Sequence, residues 1–353
     1  MGFGGTIDVM PYQVTIKPSD HAFTCADQET VLAGALREGF TLPYGCRNGA
    51  CGACKGKILH GKVDYGNPQP YVLAEFERKA GLALFCQARP LTDLVIEARE
   101  IRGVGQLEIR KLPCRVQAMH RVAPDVVVLK LKLPANERLQ FLAGQYIDIL
   151  MKDGKRRSYS MGNPPHDDEY LELHVRNMAN GAFTEYVFNK MKEKDILRFE
   201  GPLGTFFMRE DSDKPMVMVA SGTGFAPIKS IIEHAFHKQT TRQMVLYWGG
   251  RRPADLYMAK LAGEWQQQHD NFTFIPVVSD ANPDDAWPGR TGFVHHAVME
   301  DLPDLSGYQV YACGAPVVVE SAHKDFTTLC GLSEEEFYSD AFTPSVDPKP
   351  APA

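Results

Sequence analysis

Cys46, Cys51, Cys54 and Cys86 stand in the spacing C-x4-C-x2-C, with the fourth cysteine after 31 intervening residues, in and beyond the run YGCRNGACGACKG. Four thiolates, three of them from one short loop, can hold a two-iron, two-sulfide cluster if the backbone curls tightly round the inorganic sulfides. Gly45, Gly49, Gly52 and Gly56 are placed to supply that curl, because glycine tolerates positive φ and lets amide N–H groups approach sulfur. A structural zinc site reads differently, with two C-x2-C-like pairs; here one cysteine precedes the pair by five positions and the fourth stands alone. The donor set implies transfer of single electrons. Cys25, Cys114, Cys313 and Cys330 are too scattered for a disulfide framework, and a thiolate-held cluster suits a reducing compartment.

Two further runs carry chemistry. In RRSYS, Arg157, Ser158, Tyr159 and Ser160 read as a strand. Such a strand can lay the Tyr159 ring on a planar isoalloxazine while Ser160 hydrogen-bonds near its N5 and Arg157 reaches a pyrophosphate. In VASGTGFAPIKS, Gly222, Thr223, Gly224 and Pro227 lie between an apolar strand and an apolar-faced helix, the point at which backbone can approach a dinucleotide pyrophosphate. Pro227 replaces the third glycine of the G-x-G-x-x-G pattern and is tolerated because it falls in the first helical turn. Among the eleven histidines, His120 and the adjacent His295 and His296 show no metal or triad spacing. Trp248 and Trp287 read as packing residues.

The elements that must position these groups follow from hydrophobic period. Residues 11–97 alternate through YQVTIKP, form a helix at TVLAGALREGF with Val31, Leu32, Ala35 and Leu36 on one face, and return in short strands near KGKILHG, LALFCQ and DLVIEA. The charged, glycine-containing stretch ending at Pro113 reads as a linker. From Cys114 to about 210 short alternating runs imply a small barrel with one helix at GAFTEYVFNKM. From Lys214, strands PMVMVAS, QMVLYWG, NFTFIPVVS and YQVYACG alternate with helices at FAPIKSIIEHAFHK and ADLYMAKLAGEWQQQ, which implies a parallel doubly wound sheet. The tail TPSVDPKPAPA is expected to be disordered. With 353 residues, 44% apolar content and a net charge of −6, the chain is expected to hold two or three domains, to have no strong pull towards nucleic acid or anionic lipid, and to be cytoplasmic. No apolar run reaches the length of a membrane span, and MGFGGTIDVMPYQ lacks the features of a signal peptide.

These motifs, in this order and over nearly the whole chain, resemble a plant-type ferredoxin module fused ahead of a flavin and nucleotide module of the ferredoxin–NADP reductase superfamily. Similar chains are the reductase components of multicomponent oxygenases and, nearer through LPYGCRNGACGACKG and FYSDAF, the CDP-6-deoxy-glucoseen reductases of deoxysugar synthesis. The resemblance implies a β-grasp [2Fe-2S] ferredoxin domain over residues 1–100, a linker over 101–112, a six-stranded antiparallel β-barrel flavin domain over 113–210, an α/β doubly wound NAD(P)H-binding domain over 211–342, and the tail at 343–353. It implies FAD rather than FMN, since relatives with FMN carry the ferredoxin at the other end. It casts Gly181, Ala182, Phe183 and Thr184 as the phosphate-binding G-x-x-[ST] helix start, with His174, Val175 and Arg176 lining the adenosine side.

It also casts Cys313 and Gly314 of the C-G-x-P run as the residues beside the hydride crossing, with Ser160 as their catalytic partner. Phe342 is the aromatic covering the flavin, with Phe337 and Tyr338 as packing alternatives. Asp255 after the Arg251–Arg252 loop implies NADH over NADPH, because an acidic group binds ribose hydroxyls and repels a 2′-phosphate. The implied activity is an oxidoreductase that passes electrons from NADH through FAD to the cluster of Cys46, Cys51, Cys54 and Cys86, and on to a protein acceptor. That acceptor is a dehydratase, or alternatively a Rieske or diiron oxygenase component. The rival reading is an iron–sulfur carrier or sensor that does not turn over. Residues 1–100 hold five Lys and five Arg against five Asp and six Glu, a net of −1, so docking is expected to rest on local contacts with Arg47, Lys55 and Lys57 as a positive edge.

Overall fold

The computed structural model describes residues 11–101 and 107–343, which divide between Leu107 and Glu108 into two compact units. The leader reading at residues 1–10, the linker positions 102–106 and the tail from 344 lie outside the described residues.

In the first unit, β1 (Tyr12–Lys17), β2 (Ala22–Cys25), α1 (Val31–Arg37), β3 (Lys55–His60), β4 (Val63–Asp64), α2 (Glu75–Lys79), β5 (Leu82–Leu84), β6 (Arg89–Pro90) and β7 (Leu94–Glu97) follow in order. The sheet runs β2-β1-β7-β3-β5, with β1 antiparallel to β2 and parallel to β7, and β4 pairs with β6. This is the β-grasp ferredoxin fold. Thr30 starts α1 by accepting the Ala33 amide on its hydroxyl, and the helix buries Val31, Leu32, Gly34 and Ala35; each large apolar side chain buried this way contributes roughly 1.5–3 kcal/mol. The long passage from α1 to β3 is held at the sheet by Leu42 and Tyr44, both buried.

The second unit opens with β8 (Arg110–Ala123), β9 (Val126–Lys132), β10 (Tyr146–Leu150), β11 (Arg156–Ser160), β12 (Leu171–Arg176), α3 (Ala182–Asn189) and β13 (Ile196–Leu203). The strands form one antiparallel sheet ordered β11-β10-β13-β8-β9-β12. The sheet is not closed: its edges meet at the single bridge Met161–Leu173. The inner positions of β8, Leu112, Cys114 and Val116, are buried and alternate with exposed ones. β8 begins at Arg110, three residues inside the stretch read as linker, because Arg110 and Lys111 already pair with β13.

The chain continues through β14 (Met216–Ser221), α4 (Phe225–His237), β15 (Met244–Gly250), α5 (Ala259–Gln268), β16 (Phe272–Val278), β17 (Arg290–Thr291), α6 (Val294–Asp301), β18 (Gln309–Gly314), α7 (Pro316–Leu329) and β19 (Phe337–Ala341). The order is β17-β16-β15-β14-β18-β19, all parallel. Apolar clusters cover both faces, which explains why these strands read as continuous apolar runs rather than alternating ones. Two details depart from expectation. α5 starts at Ala259 rather than near 254, because Pro253–Asp255 form a 3-10 turn capped by Asp255, and the short α6 was not foreseen. Strand order reverses between β14 and β18, opening a crevice at their carboxyl ends.

Candidate functional site

Cys46, Cys51 and Cys54 lie on the loop before β3, and Cys86 follows β5. The curl uses positive φ at Gly49 (81°), Gly52 (78°) and, unforeseen, at Arg47 (59°). Gly56 serves packing instead, since a Cβ there would stand 2.3 Å from the Phe85 ring. The Ala50 amide donates to Cys46 Sγ and the Cys46 amide to Cys51 Sγ, both at 3.4 Å, and Gln87 Nε2 lies 4.0 Å from Cys86 Sγ. A hydrogen bond from Cys51, helped by amides of Asn48, Ala50 and Cys51, brings the Cys46 thiol down to about 6 against the cost of burial. Cys54 likewise lowers Cys86. Cys51 and Cys54 are pushed up in turn, because their hydrogen-bonded partners carry the negative charge. None of the four is in a disulfide. Two thiol pairs with amides aimed at sulfur fit the ligand requirement of a two-iron cluster, two donors for each iron. Of the expected positive edge, Lys55 is paired with Glu77 at 2.7 Å.

The residues expected on the flavin side sit on β11, β12 and the start of α3. Tyr159 packs on Phe183, ring centroids 5.3 Å apart. Ser158 donates to Asp148 at 2.6 Å, and Arg157 Nη1 donates to the Arg156 carbonyl, so these two also brace the strand. Thr184 donates to the Gly181 carbonyl and accepts the Met178 amide, closing the turn into α3. No side chain caps α3 at Gly181, the arrangement in which a phosphate can complete the helix start. Phe183 and Val175 are buried in the barrel core. His174 does not join the others: its ring lies 2.9 Å from Glu172 and 2.8 Å from the Tyr257 hydroxyl, and burial holds it neutral. Burial alone would raise Glu172, but His174 and the Lys229 ammonium bring its carboxyl down to about 2.

The nucleotide turns cross so closely that only glycine fits. A Cβ on Gly224 would stand 2.2 Å from the Cys313 carbonyl, and one on Gly314 (φ 130°) would stand 2.4 Å from the Ser221 carbonyl. The Trp248 indole donates to the Gly222 carbonyl and its ring stacks on Phe225 at 3.9 Å. Thr223 lies in the 3-10 turn Gly222–Gly224, and Pro227 in the first turn of α4. Arg176 reaches across from the barrel: it pairs with Asp125 at 2.9 Å and Asp255 at 2.8 Å, and a Cβ on Gly222 would meet its guanidinium at 2.7 Å. Asp255 also accepts the Arg251 and Arg252 amides. Its carboxylate therefore organises the loop after β15.

Ser160 donates to Asp340 at 3.3 Å, and Asp340 lies opposite Cys313 in the β18–β19 ladder. Burial, then the Asp340 charge, pushes the Cys313 thiol well up. Sequence reasoning passed over Asp340, although it stands inside the singled-out FYSDAF run. Phe342, just past β19, donates its amide to the Gly314 carbonyl and is partly buried. Tyr338 is buried against Tyr311 and Phe337 packs on His323.

Comparison with known proteins agrees with this layout. Residues 14–91 match the 2Fe-2S iron-sulfur cluster binding domain, 113–208 the oxidoreductase FAD-binding domain, and 218–324 the oxidoreductase NAD-binding domain. The chain is similar to the CDP-6-deoxy-L-threo-D-glycero-4-hexulose-3-dehydrase reductase of Yersinia pseudotuberculosis, 40% identical over 95% of this chain and 100% of the relative. It is also similar to reductase component 1 of terephthalate 1,2-dioxygenase from a Comamonas species, 35% identical over 95% and 98% of the two chains. The crystal structure of the Amycolatopsis cytochrome P450 reductase GcoB superposes with a TM-score of 0.77 and 34% identity, covering 94% of this chain and 99% of that one.

Proposed function

This chain belongs to the iron–sulfur flavoprotein reductases of the ferredoxin–NADP reductase superfamily, and from that premise we propose that it takes electrons from NADH and delivers them to a CDP-6-deoxyhexulose dehydrase in the cytoplasm. As an oxidoreductase of this family it needs two groups: FAD accepts a hydride and yields electrons singly, and a [2Fe-2S] cluster carries them one at a time. Cys46, Cys51, Cys54 and Cys86 would hold the cluster. Tyr159, Ser160, Phe342 and the Gly181–Thr184 turn would hold FAD, and Gly222–Pro227 with Gly314 the nicotinamide dinucleotide.

The observation that carries the reading is the meeting of Ser160 with Asp340, opposite Cys313, at the carboxyl ends of β18 and β19. Asp340 fixes the Ser160 hydroxyl, and Cys313 stays a neutral thiol that closes the crevice without adding charge beside a departing hydride. For NADH the support is the Arg251–Arg252 loop. Arg252 donates to the Asp280 carbonyl at 2.6 Å and pairs with Asp285, and Arg176 is likewise committed to Asp125 and Asp255, so both charges are spent on neighbours where a 2′-phosphate would need a cation.

For the acceptor the support is the identity of 40% over the full length of a dehydrase reductase. The test is reconstitution of the cluster- and FAD-loaded protein with a CDP-6-deoxyhexulose dehydrase and, separately, with the terminal component of a Rieske dioxygenase, following NADH consumption coupled to product. Coupled turnover at least ten-fold faster with the dehydrase is expected; faster coupling to the oxygenase would reassign the acceptor, and a higher kcat/KM for NADPH would reassign the donor.

A further inference from the structure

His295 and His296, the second and third residues of α6, carried no metal spacing in the sequence. Folding supplies the missing donor. α6 packs beside α7, and α7 brings Asp325 to the pair: His295 Nε2 stands 3.5 Å from Asp325 Oδ2, and one ligand atom from each of His295, His296 and Asp325 lies within 4.8 Å of the others. The two imidazoles are 4.2 Å apart at their ring centres, although neighbouring residues on a helix normally diverge.

We propose that His295, His296 and Asp325 form a binding site for one divalent transition-metal ion of the zinc class, on the nucleotide domain. Ligand atoms about 2.0–2.1 Å from a tetrahedral zinc lie about 3.3 Å from one another; the His295–Asp325 edge already has that length, and His296 needs only a side-chain rotation to close the triangle. Two imidazoles and one carboxylate select zinc, nickel or copper over magnesium or calcium, which favour oxygen donors. Burial agrees with the geometry: His295 is nearly buried, with its Nε2 turned to the Asp325 carboxylate. His296 is exposed, so an ion has a path in, and water can complete its coordination. Bound there, the ion ties α6 to α7, the helix that leaves the Cys313–Gly314 turn.

The site is separate from the four cluster cysteines, and the experiment must keep it so. The cluster- and FAD-loaded protein, freed of loose metal, is titrated with zinc chloride in a calorimeter, and the zinc-loaded sample is then measured by X-ray absorption at the zinc edge. One zinc per chain is expected, with nitrogen and oxygen neighbours at about 2.0–2.1 Å and no sulfur at about 2.3 Å. His296→Ala, a change at an exposed position, is expected to weaken the binding at least ten-fold, as is Asp325→Asn, whereas His323→Ala on the same helix leaves it unchanged. Magnesium is expected to give no heat. Zinc bound equally by the wild type and His296→Ala, zinc found on sulfur, or no zinc bound at all would overturn the site.

Discussion

Three of the four proposed sulfur donors come from the nine consecutive residues Cys46 to Cys54, whereas Ser160 and its partner Asp340 are 180 residues apart in sequence. The cysteine loop carries its own geometry: positive φ at Arg47, Gly49 and Gly52 wraps backbone amides round the sulfurs. The proposed hydride-crossing site has no local geometry of its own. It exists because two sheets of one unit present strand ends to each other, and because glycines at 224 and 314 let the turns of β14 and β18 interlock. A self-contained loop should fail alone when broken, while a site assembled from strand ends should lose rate by degrees.

The sharpest test of that contrast is Cys51→Ser. Losing one of four thiolates should abolish the visible absorption of the cluster and reduce cytochrome c reduction by more than about a hundred-fold, with NADH-to-ferricyanide activity kept within about two-fold. Loss of both activities in a protein that remains folded and FAD-loaded would show that the loop is not independent.

At the strand ends the expected losses are smaller. Cys313→Ala should slow stopped-flow reduction of the flavin by NADH about ten-fold while FAD stays bound, and Asp340→Asn should slow it by about the same factor through Ser160, on the lower side of what a group positioned at a reacting atom contributes. Because burial, then the Asp340 charge, holds the thiol pKa well above its ordinary value, Cys313 remains protonated as pH rises through 9. The rate should therefore show no step from thiol ionisation between pH 6 and 9. A step present in the wild type and absent in Cys313→Ala would mean a thiolate at the crossing.

This contrast also explains what could be read from the sequence. The cysteine loop was legible because spacing along the chain and spacing in space coincide there, and the three-domain order was legible because hydrophobic period changes at each boundary. Arg47 escaped because positive φ on a non-glycine leaves no compositional trace. Asp340 escaped because nothing near it in sequence shows that β19 lies beside β18 and faces Ser160. His174 and Arg176 were assigned to one cofactor face by their place on β12, yet the first is spent on Glu172 and Tyr257 and the second reaches across to Asp255. Side-chain commitments of this kind depend on which neighbour the topology delivers. Asp255 shows the same limit, since its carboxylate serves three donors of the chain itself.

That last arrangement yields a milder prediction. Asp255→Asn keeps the shape but weakens the charge-assisted bond to Arg176 and the cap on the Arg251 and Arg252 amides. The KM for NADH should rise about five-fold, the equivalent of one hydrogen bond with a net worth near 1 kcal/mol, with kcat within about two-fold and no gain in NADPH use. A marked gain in NADPH use would return Asp255 to the role of direct discriminator against a 2′-phosphate.

The smallest effect is expected at the cluster unit's outer surface, where the comparison turns from assembly to delivery. Residues 1–100 carry five Lys and five Arg against five Asp and six Glu, a net of −1, so no whole-domain field steers the acceptor. Locally, Lys55 is held by Glu77 at 2.7 Å, while Arg47 lies within the cysteine loop itself and Lys57 on β3. Electron delivery to the acceptor should then fall only about two- to three-fold between low salt and about 0.15 M, where the Debye length shortens to about 8 Å. Arg47→Glu should impair delivery more than charge reversals elsewhere on the unit. Glu77→Gln releases the Lys55 charge and should steepen the salt dependence towards an acidic acceptor while leaving NADH-to-ferricyanide activity untouched. Both are read as acceptor turnover against salt with the dehydrase in excess. A ten-fold collapse in the wild type by about 0.15 M salt would reveal a strongly steered complex, and the cluster loop would then depend on the rest of its surface as fully as the hydride site depends on its strands.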